Sequence, residues 1–117
     1  MKKILFVDDD PAIHDAAERV SRRSDCCLVH ACDGNEALNY FLRKRDVDGV
    51  VTDLYMENDG FKLVQEIRKH DKQVPIIVIS GGDKYGDQYL LDACTHIGAN
   101  LVLEKPVSCD VIFKYFN

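Results

Sequence analysis

The sequence predicts a doubly wound α/β domain, a five-stranded parallel sheet flanked by five helices. Two observations carry this prediction. Short apolar runs rich in β-branched residues alternate along the chain with stretches whose apolar residues recur at helical spacing. The short runs are also almost continuously apolar, as strands are when the crossovers of a parallel sheet cover both faces with helices. A chain of 117 residues with 46% hydrophobic content can bury such a core, and one domain over residues 1–117 is expected.

Lys3 to Val7 is the first strand, ending in Asp8-Asp9-Asp10. Asp10 is a natural helix N-cap with Pro11 at the first helical position, and Ile13, Ala16, Ala17 and Val20 stripe the helix that follows. Cys27 to Ala31 is the second strand; Asp33-Gly34-Asn35-Glu36 resembles a capping box that opens a helix burying Ala37, Leu38, Phe41 and Leu42. Val50-Val51-Thr52 is the third, leading through a polar loop with Gly60 to a helix with inner face Leu63, Val64 and Ile67. Ile76 to Ile79 is the fourth, opening on Ser80-Gly81-Gly82. Leu90, Ala93, Cys94 and Ile97 mark a helix closed by Gly98 as its C-cap. Leu101 to Leu103 is the fifth strand, and Val111, Ile112, Tyr115 and Phe116 stripe a last helix. In that helix Tyr115 and Phe116 are read as core and Phe113 as the exposed aromatic.

Composition narrows the function. A formal net charge of -5 has the wrong sign for a phosphate backbone, so no direct nucleic acid partner is expected. No apolar stretch reaches the roughly 20 residues that span a bilayer, and Met1-Lys2-Lys3 runs straight into a strand rather than a signal-peptide core. A cytoplasmic chain without membrane attachment is expected. Cys26, Cys27, Cys32, Cys94 and Cys109 form no CxxC pair and read as free thiols. His14, His30, His70 and His96 have no ligand spacing, and surface or partly buried structural roles are expected for each.

In doubly wound sheets the functional groups lie at the carboxyl ends of the strands. Strand one ends on Asp8 and Asp9, strand three on Asp53, strand four on Ser80, and strand five on Glu104-Lys105-Pro106. A single aspartate at a strand end is ordinarily a cap or turn residue, but carboxylates, a hydroxyl and an amine converging from four strands are not explained that way. Crowded carboxylates need a counter-charge, and few hard oxygen ligands completed by water suit Mg²⁺. With Lys105 opposite, such a site stabilises the charge on a phosphoryl group in transfer, and Asp53 is the central candidate nucleophile. Gly81-Gly82 is read as a flexible strand-to-helix turn, since no GxxxxGK follows to make a phosphate cradle.

Over essentially its whole length the chain resembles the receiver domain of two-component response regulators. The resemblance rests on Ile4-Leu5-Phe6-Val7-Asp8-Asp9-Asp10-Pro11, Thr52-Asp53-Leu54-Tyr55-Met56, Ser80-Gly81-Gly82, and Gly98-Ala99-Asn100 running to Lys105-Pro106. It implies a flavodoxin-like strand order 2-1-3-4-5. It implies further that Asp53 is the phosphorylated aspartate, that Asp8, Asp9, Asp53 and the backbone carbonyl of Tyr55 hold Mg²⁺, that Ser80 bonds the phosphoryl group, and that Lys105 pairs with it through a segment whose Lys105-Pro106 bond is commonly cis. The phosphodonor would be a sensor histidine kinase or a histidine phosphotransfer protein, and an output domain or downstream protein would receive the signal.

Two positions depart from the family pattern. Val102 stands where an aromatic residue usually tracks the hydroxyl residue, so the chain lacks the aromatic half of that switch, which phosphorylation itself does not require. Glu57 replaces a proline after Met56, and the loop to Gly60 is one residue short. Two other classes compete: a docking-only pseudo-receiver, suggested by Val102 and the altered loop, and a haloacid-dehalogenase-like phosphohydrolase, suggested by Asp8-Asp9-Asp10. The second needs a longer chain and a late acidic pair.

Overall fold

The computed structural model describes residues 1–55, 60–81 and 88–117, and the side chains of all these except 88–91. In chain order the elements are β1 (Lys2–Val7), α1 (Pro11–Arg23), β2 (Cys26–Ala31), α2 (Gly34–Lys44), β3 (Gly49–Asp53), α3 (Gly60–His70), β4 (Ile76–Ser80), α4 (Gln88–Ile97), β5 (Leu101–Glu104) and α5 (Cys109–Tyr115). The strands form one parallel sheet in the order β2-β1-β3-β4-β5. Winding therefore reverses between β1 and β3, and their carboxyl ends flank the crevice.

The period-two alternation of strands splits the core into two layers. Leu5, Val7, Val50, Ile76 and Val78 face one side, where Ala37 and Phe41 of α2, Leu63, Val64 and Ile67 of α3 and Cys94 of α4 pack on them. Ile4, Phe6, Val51, Ile77 and Ile79 face the other, against Ala17 of α1 and Ile112 and Phe113 of α5. Each fully buried side chain of this size contributes roughly 1.5–3 kcal/mol. Together they hold the sheet edge in place.

The local signals act as expected. Asp10 accepts from the Ala12 N–H at 2.9 Å and caps α1, with Pro11 at its start. Asp33 accepts from the Glu36 N–H at 2.8 Å and caps α2. Gly98 ends α4 at φ +123°, and a Cβ there would lie 2.8 Å from the Arg68 side chain, so both backbone and space require glycine. Leu90, expected on the inner stripe of α4, has its side chain outside the described residues.

The last helix corrects one expectation. Phe113 is fully buried, whereas Tyr115 is 45% exposed and Val111 54%. The helix spans only Cys109–Tyr115, and it turns its Ile112-Phe113 edge to the sheet, where Phe113 meets Phe6 at a 6.3 Å centroid separation. Phe116, just past the helix end, lays its ring over Gly49, a place where a Cβ would come within 2.2 Å of it. With so short a helix, the stripe rule has too few turns to fix the buried face.

Candidate functional site

Alternation and register together assemble the site. Asp8 continues the face of Ile4 and Phe6, Asp53 that of Val51, and Lys105 that of Leu101 and Leu103, so period two directs all three toward the α1 and α5 side. Val7 pairs with Thr52, which brings Asp8 level with Asp53. Ser80 pairs with Glu104 at the carboxyl end of β4, and the Lys105 N–H donates to the Ser80 carbonyl at 2.7 Å.

Asp8, Asp53 and Ser80 are buried at 5%, 6% and 1% exposure, while Asp9 is exposed. One carboxylate oxygen from each of Asp8, Asp9 and Asp53 lies within 4.8 Å of the others. The Lys105 ammonium donates to Asp53 Oδ2 at 3.4 Å, and the Lys105-Pro106 bond that carries it round the corner is cis. Asp8 Oδ1 accepts from the Asp10 N–H at 2.9 Å. Burial pushes the Asp53 carboxyl above its ordinary range; Lys105 opposes this, Asp8 adds to it, and the Tyr55 N–H opposes it by donating to the carboxylate. Burial likewise raises Asp8, against the Asp10 N–H and Lys105. Among the described residues, three carboxylates therefore share one nearby ammonium, and the cluster is short of positive charge.

That deficit, with hard oxygen donors only, fits a small divalent cation of the Mg²⁺ class. Beside the carboxylates, a cavity of about 480 Å³ runs between α1 and α5, lined by Phe6, Ile13, Ala16, Val107 and Ile112 and opening on Asp53 and Lys105.

The structure brings Asp8, Asp9, Asp53, Ser80 and Lys105 to one sheet edge, with half-buried Tyr55 directly after it. Met56, Glu57, Asn58 and Asp59, the altered loop, and Gly82 lie outside the described residues. Val102 is half-buried, pairs with Val78 and packs with the α2, α3 and α4 layer.

Sequence reading missed three positions. Gly60 begins α3 directly against the backbone of Asp53, where a Cβ would lie 2.3 Å from the Asp53 carbonyl oxygen. The Thr52 hydroxyl donates to that same oxygen at 2.9 Å. His14 reaches the loop itself, its Nε2 donating to the Asp8 carbonyl at 2.7 Å. A glycine a few residues past a strand-end aspartate was the available signal for Gly60. For His14 there was none.

A parallel doubly wound sheet whose switch point carries buried carboxylates facing a lysine defines the class: an α/β domain with an acidic pocket. The chain belongs to the response regulator receiver domain family, whose sequence profile matches residues 4–117. It is a receiver domain of two-component signalling, and the phosphohydrolase reading is not favoured. The response regulator GtcR of Aneurinibacillus migulanus is 31% identical over 106 residues, covering 90% of this chain and 42% of that protein. The probable transcriptional regulator ycf27 of Guillardia theta is 35% identical over 108 residues, covering 92% of this chain and 41% of that one. The chain thus spans less than half the length of these curated relatives. Among solved structures, a receiver domain protein from Clostridium thermocellum superposes with a TM-score of 0.90 at 25% identity, covering 100% of this chain and 92% of that one. The chemotaxis response regulator CheY4 of Vibrio cholerae gives 0.85 at 25% identity, covering 98% and 95%. Among the described residues no helix is long and apolar enough to cross a membrane.

Proposed function

We propose that Asp53 is the phosphoacceptor of this receiver and that the acidic pocket holds Mg²⁺ while it acts. The observation that carries the reading is the buried Asp53 carboxylate, 3.4 Å from the Lys105 ammonium and clustered with Asp8 and Asp9. Asp8, Asp9, Asp53 and the Tyr55 backbone carbonyl are the residues assigned to the metal. Bound there, the cation screens the carboxylates and neutralises charge on the phosphoryl oxygens.

In the step itself an Asp53 carboxylate oxygen attacks phosphorus, the bond from phosphorus to a donor histidine nitrogen breaks, and an acyl phosphate forms while the nitrogen keeps the electron pair and takes a proton. Lys105 pairs with a phosphoryl oxygen, and the Ser80 hydroxyl donates to another. Hydrolysis of the acyl phosphate at the same site resets the domain. The domain thus catalyses its own phosphorylation without being a conventional enzyme. The donor is a sensor histidine kinase or a histidine phosphotransfer protein, and the signal passes to an output domain or a separate protein. Residues 1–117 act as one receiver unit. Five free cysteines suit the reducing cytoplasm.

Incubation with a small-molecule phosphodonor and Mg²⁺, followed by intact mass, tests the assignment. One added phosphoryl group is expected, absent in Asp53→Ala; an adduct that persists in Asp53→Ala overturns it. Failure of the wild-type chain to bind Mg²⁺ or beryllofluoride would instead favour a docking-only pseudo-receiver.

A further inference from the structure

His14 on α1 and His30 on the edge strand β2 are separated in sequence, yet their Nδ1 atoms lie 2.6 Å apart. The other nitrogen of each ring is already committed. His14 Nε2 lies 2.7 Å from the Asp8 carbonyl oxygen, and His30 Nε2 lies 2.6 Å from Glu18 Oε2. A carbonyl and a carboxylate only accept, so both Nε2 atoms carry a hydrogen, and in the neutral rings both Nδ1 atoms present lone pairs. Two lone pairs facing one another at that distance repel, so the pair is held either by a proton shared between the two nitrogens or, once the rings open, by a metal cation.

We propose that His14 and His30 form a second cation site, separate from the acidic pocket, that takes a borderline divalent transition metal such as Zn²⁺ through the two Nδ1 atoms. Paired imidazoles suit metals of that kind, whereas Mg²⁺ prefers carboxylate, carbonyl and water oxygens. The outer contacts are those of metal-ligating histidines, whose second N–H goes to a carboxylate or a backbone carbonyl that fixes the tautomer and raises basicity. Phe6 holds both rings edge-on, at centroid distances of 5.4 Å to His14 and 6.3 Å to His30. With bonds of about 2.0–2.1 Å in tetrahedral geometry, the two nitrogens sit somewhat over 3 Å apart. The rings must open by less than an ångström. His30, its side chain 35% exposed on an edge strand, has room to do so, and water completes the coordination. Because His14 also holds the Asp8 carbonyl, the site adjoins the acidic loop without sharing its ligand atoms.

The test uses the full chain with Mg²⁺ at saturating concentration, titrated with Zn²⁺ and followed through the imidazole nitrogen resonances. The expected result is a joint, saturable shift of the Nδ1 resonances of His14 and His30 at one equivalent, with His70 and His96 unmoved. His30→Asn is expected to lower Zn²⁺ affinity by at least about tenfold, and Glu18→Gln, which keeps both rings, by about tenfold. Rings that do not respond to Zn²⁺, or a His30→Asn protein that binds it as tightly as the wild type, would overturn the proposal. Zn²⁺ captured by the exposed thiols of Cys27 and Cys32 leaves the rings unmoved and counts against it equally.

Discussion

The proposed acceptor role asks Asp53 to be buried enough to exclude water from an acyl phosphate, yet ionised enough to attack. Burial raises its carboxyl and that of Asp8 above the ordinary range, so the folded chain holds these protons to higher pH than the unfolded one. Stability from this source is complete below the ordinary carboxylate range and is lost as pH climbs through the raised values. Urea unfolding at stepped pH, with metal removed, should show that fall, and Asp53→Asn should flatten it. A wild-type curve rising through the window would refute the account. Lys105→Ala removes the ammonium beside Asp53 and should raise the pH at which the fall is centred.

Gly60 shows how an element's first residue serves the site. Placing a methyl 2.3 Å from the Asp53 carbonyl oxygen must shift either α3 or the Asp53 backbone. Gly60→Ala is expected to cost about 1–3 kcal/mol and to slow phosphoryl uptake, read by denaturation and by the mass-shift time course. Normal uptake at full stability would show that α3 yields freely. In α5 the correction to its buried face gives a sharp contrast. Phe113→Ala should cost about 3–5 kcal/mol, as for a fully buried aromatic, whereas Tyr115→Ala, half exposed, should stay within about 0.5 kcal/mol. Equal effects in denaturant titrations would contradict the observed packing.

At the scale of the whole molecule, the cation is expected to act as a folding ligand. The three carboxylates converge only when β1 and β3 pair, so Mg²⁺ should bind the folded chain and leave the unfolded chain alone. At 100 times its dissociation constant it should add about 2.7 kcal/mol to stability. Thermal unfolding with and without Mg²⁺ measures this increment, which should shrink in Asp8→Asn. An unchanged increment in that variant would place the metal elsewhere.

Much of this was legible beforehand because the physics involved is local. Apolar runs of strand length, Asp10 and Asp33 as caps, and Gly98 at a positive φ depend on neighbours in the chain, so the ten elements could be read in order. The strand-end residues Asp8, Asp53, Ser80 and Lys105 followed, since a parallel sheet gathers such ends at one edge. Only the tertiary structure decided which face of α5 is buried, that Gly60 rests on the Asp53 backbone, and that His14 meets His30 beside Asp8. Those contacts arise from register and packing between distant segments, which no local pattern encodes.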